Sequence, residues 1–260
     1  MGRLLTLFSL FLPLSLTVSA AEKVVLYGDD DYAPYSFVEN GQFRGIYVDL
    51  LKRIAPKLAP EYELELRAVP WKRGLAELER GTSLGLFPPY QRSERTYIQP
   101  YSAPLYKESV VLFCNDEVMK TPRKQFPQDF NGLVVGVNAG FTLTDKLQEA
   151  AKAGKIKLEE AKGNDANLLK LAAKRIGCYA NDAVSVRYSL RRLREAPGAL
   201  ADIKTLTLRD AVELAGENAY VGYSRTFKAP YKDDFIRRLD AALAGLAPEE
   251  VNKLVARYIN

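Results

Sequence analysis

Strand and helix patterns alternate in two tandem blocks, and this alternation leaves the chain few possible folds. In the first block, strand patterns at 23–27, 61–69 and 84–87 are separated by apolar residues at helical spacing over 46–58 and 71–81. Helical connections between consecutive strands favour a parallel sheet with helices against its faces. The sequence therefore predicts the α/β class.

The second block repeats the alternation. Its predicted strands lie at 133–137, 156–158, 176–180 and 203–208, and its predicted helices begin near 142, cover 164–174 and end near 194. Two further apolar strands, at 109–114 and 219–223, precede and follow this block, and two helices close the chain. Two α/β units in tandem, each too small for a complete enzyme, predict two lobes with a cleft between them.

The first twenty residues have the composition of a secretory signal. Arg3 supplies a positive charge, residues 4–16 form a mostly apolar run, and small residues occupy 18–20. This run is shorter than the ~20 residues that a membrane-spanning helix needs. We therefore expect cleavage after residue 20 and a periplasmic location, with an uncleaved N-terminal anchor as the alternative.

The composition excludes several kinds of chemistry. The chain of 260 residues has no histidine, so it can form neither a Ser-His-Asp triad nor an HExxH zinc site. The 37 basic and 32 acidic residues are interspersed, which does not indicate a nucleic-acid partner. Cys114 and Cys178 would be exported into an oxidising compartment, where a disulfide and two buried thiols are both open possibilities. The sequence calls for no metal and no cofactor.

Seven short motifs, in order, resemble those of the bacterial family 3 solute-binding proteins, the periplasmic amino-acid receptors of ABC importers. They are 31–37 (DYAPYSF), 45–51 (GIYVDLL), 71–81, 92–95 (RSER), 101–106 (YSAPLY), 135–142 (VGVNAGFT) and 179–182 (YAND). Each motif is weak alone, but their order and spacing cover essentially all of 22–260. The chain is therefore identified by resemblance as a member of this family.

The resemblance implies a two-lobed periplasmic-binding-protein fold of type II, each lobe a sheet flanked by helices. Lobe one would comprise 22–113 plus 226–260, and lobe two 117–218. Two strands near 110–116 and 219–225 would form a hinge between the lobes.

The resemblance also implies anchors for a zwitterionic ligand. Arg95 aligns with the arginine that binds the α-carboxylate, for which the fork of a guanidinium is suited; a solvated surface charge is the alternative. Thr142 aligns with a second-lobe hydroxyl at the start of a helix, where an anion is favoured, or it is a plain helix cap. Asp182 aligns with the carboxylate that binds the ligand ammonium, and a helix cap is again the alternative.

Further residues would shape the cleft. Asp29 aligns with a loop acid that reaches the ligand side chain, although it could equally belong to a solvated acidic loop. Tyr32, Tyr35 and Trp71 would form aromatic walls, or simply pack within their lobe. Pro88 and Pro89 stand where the family usually offers hydroxyls and amide donors, so we expect Tyr90 to replace at least one of these contacts.

The function predicted from these features is that of a periplasmic binding protein and not an enzyme. It would act as a monomer, close on a small zwitterion such as an amino acid, and deliver it to an ABC importer permease. Two alternatives share the fold. One is an enzyme of the cyclohexadienyl dehydratase type, which would need a general acid in the cleft. The other is a partner that presents its ligand to a membrane sensor.

Overall fold

The computed structural model describes residues 20–259 as thirteen strands and eight α-helices. In chain order the strands are β1 (Glu22–Asp29), β2 (Asp31–Tyr32), β3 (Ser36–Glu39), β4 (Gln42–Arg44), β5 (Tyr62–Val69), β6 (Gly85–Phe87), β7 (Ile98–Tyr101), β8 (Tyr106–Cys114), β9 (Val134–Asn138), β10 (Lys157–Ala161), β11 (Cys178–Asp182), β12 (Arg209–Ala219) and β13 (Gly222–Ser224). The helices are α1 (Ile46–Ile54), α2 (Trp71–Arg80), α3 (Asp145–Lys152), α4 (Gly163–Ala172), α5 (Ala183–Glu195), α6 (Ala201–Thr205), α7 (Lys232–Ala244) and α8 (Pro248–Ile259).

The strands form two five-stranded sheets, which confirms the predicted α/β class. The first sheet has the order β5-β1-β6-β13-β7, and β1 is parallel to both β5 and β6. The second has the order β10-β9-β11-β8-β12, with a parallel β10-β9-β11 half and an antiparallel half. We call the body around each sheet lobe one and lobe two. A small sheet, β2-β3-β4, lies beside β1.

Apolar spacing and local caps explain the helices of lobe one. Helix α1 buries one apolar face, which includes Ile46, Leu50 and Ile54, and packs against α7 and α8 from the far end of the chain. Helix α2 ends at Gly81, whose left-handed backbone (φ 71°) closes the last turn, as the sequence predicts.

A disulfide joins Cys114 and Cys178 within lobe two. The two residues lie directly opposite each other on the antiparallel strands β8 and β11, with their Cα atoms 4.0 Å apart. Of the two possibilities left open by the sequence, the structure shows the bridge. Because both strands belong to the same sheet, the bridge leaves the lobes free to move relative to each other.

The predicted strand at 203–208 is wrong. Helix α6 covers its first half, with Ile203 buried, and the strand of this region is β12, which begins at Arg209. Strand β12 lies at the edge of its sheet, carries several charged residues and has two register shifts against β8. Half-exposed edge strands with bulges lose the regular alternation on which prediction depends.

The chain passes between the sheets at two adjacent segments, 102–105 and 220–221. There Ser102 N–H donates to Val221 O (2.9 Å) and Leu105 N–H donates to Ala219 O (2.8 Å). All of β8 belongs to the second sheet, so the first crossing lies before the expected segment at 110–116. We propose that these two segments are the hinge.

The predicted secretory signal at 1–20 lies almost entirely outside the described residues. Within 20–259, no helix is both long enough and apolar enough to cross a membrane.

Candidate ligand-binding site

A cavity of about 280 Å³, part of it open to solvent, lies between the lobes. Its lining is mostly aromatic and apolar, and consists of Tyr32, Trp71, Pro88, Tyr90, Arg95, Phe141, Thr142 and Leu143. Five of the eight predicted site residues are therefore brought together here: Tyr32, Trp71, Tyr90, Arg95 and Thr142. Of the other three, Asp29 lies on a neighbouring cavity, and Tyr35 and Asp182 are buried outside both cavities.

Arg95 is the charged residue of this lining. Its side chain is buried (6% exposed), its Nη2 donates to Gly140 O (3.2 Å), and its guanidinium lies 5.7 Å from the centre of the Trp71 ring. Within 20–259, no carboxylate forms an ion pair with it. Desolvation by burial lowers the pKa of Arg95, as expected for a cation removed from water. The arrangement is an unneutralised cation that faces a cavity.

Thr142 lines the cavity, but it does not begin a helix. Helix α3 begins at Asp145, and Thr144 caps it by accepting a hydrogen bond from Leu147 N–H (3.2 Å). The carbonyl of Thr142 accepts from Arg92 Nε (3.0 Å). The prediction that Thr142 lies at the start of a helix is therefore wrong, because the residue that caps the helix is Thr144, two positions later.

Asp182 is both a helix cap and a contact between the lobes. It ends β11, and its Oδ1 accepts from Ser185 N–H (2.8 Å) at the start of α5 and from the Tyr35 hydroxyl of lobe one (3.0 Å). Its Oδ2 accepts from Ser109 N–H (3.1 Å). Burial raises the pKa of Asp182 to about 6, against the lowering effect of these donors.

Glu108, which lies in none of the seven sequence motifs, is the centre of a buried tyrosine cluster. The hydroxyls of Tyr32, Tyr47 and Tyr90 all donate to its carboxylate, the last at 2.6 Å. Glu108 is 1% exposed, and burial, followed by the charge of Asp182, raises its pKa to about 8. The available signal was an acid directly before the apolar run of β8, in a chain with fifteen tyrosines.

Asp29 lies at the end of β1, on the neighbouring cavity of about 530 Å³. Its Oδ1 accepts from Asp31 N–H (3.0 Å), and burial raises its pKa to about 8. Trp71 and Phe141 line both cavities. Lys72 and Lys162 also line this second cavity.

Contacts across the cleft hold the lobes closed. Gly140 O of lobe two accepts from both Trp71 Nε1 (3.1 Å) and Arg95, and Lys72 pairs with Glu160 (2.6 Å). Gly140 has a left-handed backbone (φ +81°), and a Cβ there would lie 2.9 Å from Lys72 Cγ. This close approach requires glycine at the rim of the cavity.

Two α/β lobes with a cavity between them define a protein of the periplasmic-binding-protein fold. The chain belongs to the bacterial extracellular solute-binding proteins, family 3, whose sequence profile matches residues 24–260. This confirms the family that the motifs indicated.

Solved structures show the same fold at low sequence identity. A histidine kinase sensor domain with similarity to periplasmic binding proteins is 19% identical, with a TM-score of 0.74 over 92% of this chain and 97% of that chain. A structure from a description of glutathione import and the cystine ABC importer of Streptococcus mutans is 15% identical, with a TM-score of 0.72 over 92% and 95%. An ancestral amino acid-binding protein, a precursor of cyclohexadienyl dehydratase, is 18% identical, with a TM-score of 0.68 over 92% and 95%. No curated protein matches the chain.

Proposed function

We propose that this protein is a periplasmic substrate-binding protein that captures a small carboxylate-bearing solute by closure of its lobes. The carboxylate is the half of the predicted zwitterion for which the cavity offers a partner. The closed form would then deliver the solute to an ABC importer permease. Membership in an extracellular solute-binding family supports the binding role.

The buried, unneutralised guanidinium of Arg95 is the observation that carries this proposal. A charge taken out of water is costly unless a counter-charge accompanies it. A ligand carboxylate would supply that counter-charge, and it can accept two parallel hydrogen bonds from one guanidinium. The free energy of this pairing would become available only when the ligand enters.

Aromatic residues from both lobes would enclose the rest of the solute. Phe141 of lobe two makes edge-to-face contacts with Trp71 (5.6 Å between ring centres) and with Tyr32 (5.3 Å), both of lobe one. A ligand held against these rings would contact both lobes at once, which favours the closed state.

The test is ligand binding by protein that has been unfolded and refolded to remove any solute carried through purification. Thermal shift and calorimetry with a panel of small carboxylates and amino acids should find a stabilising ligand. Arg95→Ala should weaken its binding by roughly 100-fold, since loss of one partner of a buried charge pair costs several kcal/mol. Arg80→Ala, at an exposed arginine in the last turn of α2, is the matched control and should bind normally.

Full retention of binding by Arg95→Ala would overturn the assignment of Arg95 as the anchor. The eight lining residues include no carboxyl group, so the dehydratase alternative would have to use Tyr32 or Tyr90 as its general acid. Uptake by cells that express the protein with and without a candidate permease would test delivery to an importer.

A further inference from the structure

We propose that the cavity selects a carboxylate with a single apolar ring or branched body and no ammonium group, in preference to the corresponding α-amino acid. The inference rests on the proposed function, because it takes Arg95 as the anchor of the carboxylate. It concerns the other end of the ligand, for which the eight residues that line this cavity provide no counter-charge.

The residues that line the cavity carry one positive charge and no negative charge. Arg95 is a cation, and the remaining seven lining residues are aromatic or apolar apart from the hydroxyls of Tyr32, Tyr90 and Thr142. A monoanion would neutralise this cavity. A zwitterion would bring an ammonium group that has no carboxylate to meet, and burial of an unpaired ammonium is strongly unfavourable.

The acid predicted to bind that ammonium, Asp182, already accepts three hydrogen bonds within the protein. Both oxygens of Asp182 accept hydrogen bonds, from Ser185 N–H and the Tyr35 hydroxyl on one side and from Ser109 N–H on the other. Asp182 is 1% exposed and does not line the cavity.

Glu108, the other acid near the cavity, also accepts hydrogen bonds from side chains of the protein. Tyr32 and Tyr90 line the cavity, but their hydroxyls point to Glu108 and donate to its carboxylate behind the wall. Tyr47 donates to the remaining oxygen, and Glu108 itself does not line the cavity. The ligand therefore meets the tyrosines and not the acid.

The rest of the wall favours an apolar body. Pro88 has no N–H to donate, and together with Leu143, Phe141 and Trp71 it presents ring and methyl surface. This wall therefore suits an apolar body and not a polar one.

Matched pairs of ligands that differ only in the ammonium group test the inference. With 3-phenylpropanoate against L-phenylalanine, and 4-methylpentanoate against L-leucine, the wild-type protein should bind the acid more tightly by roughly 10- to 100-fold, the usual cost of a buried unsatisfied polar or charged group. Calorimetry on refolded protein measures both members of each pair.

A charge placed in the wall should reverse the preference. Thr142→Asp adds a carboxylate to the lining, so it should weaken binding of the acid and shift the preference towards the amino acid by at least about 10-fold. Thr142→Asn has nearly the same shape without the charge and should keep the wild-type preference. Thr142 is half-buried and precedes α3, so neither change disturbs a helix.

The outcomes separate this inference from the proposed function. Arg95-dependent binding in which the amino acid equals or exceeds its acid would overturn the inference and leave the binding function intact. Binding of neither class would overturn the proposed function itself. An unchanged preference in Thr142→Asp would show that the wall charge does not decide the ligand class, which also contradicts the inference.

Discussion

Buried ionisable residues are the most unusual single residues of this molecule. Arg95, Glu108 and Asp182 are each almost fully buried, and none of them takes part in an ion pair among the described residues. Arg95 and Asp182 could be chosen from the sequence because each stands in a family motif. Glu108 could not, because its partners Tyr32, Tyr47 and Tyr90 are up to 76 positions away and only the closed fold brings them together.

The first prediction concerns the pH dependence of stability. Because the pKa of Glu108 in the folded protein is about 8, above the ordinary value of 4.5, the folded state keeps a proton that the unfolded state loses between these values. The free energy of unfolding therefore falls as the pH rises through this window. Glu108→Gln keeps the shape but removes the titration, so it should gain at least about 1 kcal/mol relative to wild type between pH 5 and 9.

Urea unfolding at several pH values measures this difference. Asp29, with a pKa also raised to about 8, contributes a slope of the same sign, so some pH dependence should remain in Glu108→Gln. If the free energy of unfolding changed with pH equally in wild type and in Glu108→Gln, the prediction would be contradicted.

Among the elements, the loop between β9 and α3 contributes most to closure. It carries Gly140, Phe141 and Thr142, and Gly140 O accepts from two residues of lobe one. The strand before this loop was correctly predicted, whereas the start of the helix was placed three residues too early. The capping Thr144 and the earlier Thr142 are both hydroxyl residues, and only the backbone path distinguishes them.

The second prediction is that Gly140→Ala weakens ligand binding by roughly 10-fold. An alanine there is strained at positive φ, which costs about 1 kcal/mol, and its Cβ would press on Lys72 of the opposite lobe. Gly154→Ala is the matched control, because Gly154 also has a positive φ (+67°) but a Cβ there would have no atom within 4 Å. Both variants should lose similar stability, and only Gly140→Ala should lose affinity in calorimetry.

Equal affinity in the two glycine variants would show that closure does not depend on the close approach of Gly140 to Lys72.

Strand β12 is an element that the sequence did not predict. Its pairing with β8 extends over nine residue pairs but is interrupted by two register shifts, and its exposed face is charged. Sequence periodicity identifies β8, which is apolar throughout its second half, but not its edge partner.

At the scale of the whole molecule, the order of motifs was sufficient to predict two lobes of one family. The motif order does not predict which residues of the two lobes contact each other. Contacts such as Tyr35 with Asp182, 147 positions apart, depend on a closed geometry that local patterns do not encode. The first crossing between the sheets lies earlier than predicted for a related reason. Local sequence can identify a strand, but the sheet to which the strand belongs depends on the strands with which it pairs.

The third prediction concerns the disulfide. Replacement of Cys114 and Cys178 by alanine should lower the free energy of unfolding by about 4 kcal/mol, the loop-entropy value for a closed segment of this length. Ligand affinity should be unchanged, because both cysteines lie in the sheet of lobe two, away from the cavity. Urea unfolding and calorimetry on the double variant measure the two quantities, and a loss of affinity greater than about 3-fold, roughly 0.7 kcal/mol, would contradict the separation.

The continuity of lobe two along the chain determines the order in which the molecule can be completed. Every strand of the second sheet lies between residues 106 and 219, whereas the first sheet needs β13, and helix α1 needs α7 and α8 for its packing. A chain that emerges N-terminus first can therefore finish lobe two and oxidise Cys114 with Cys178 while lobe one is still open. Residues 20–101 cannot pair or pack with their C-terminal partners until the last forty residues of the chain have emerged.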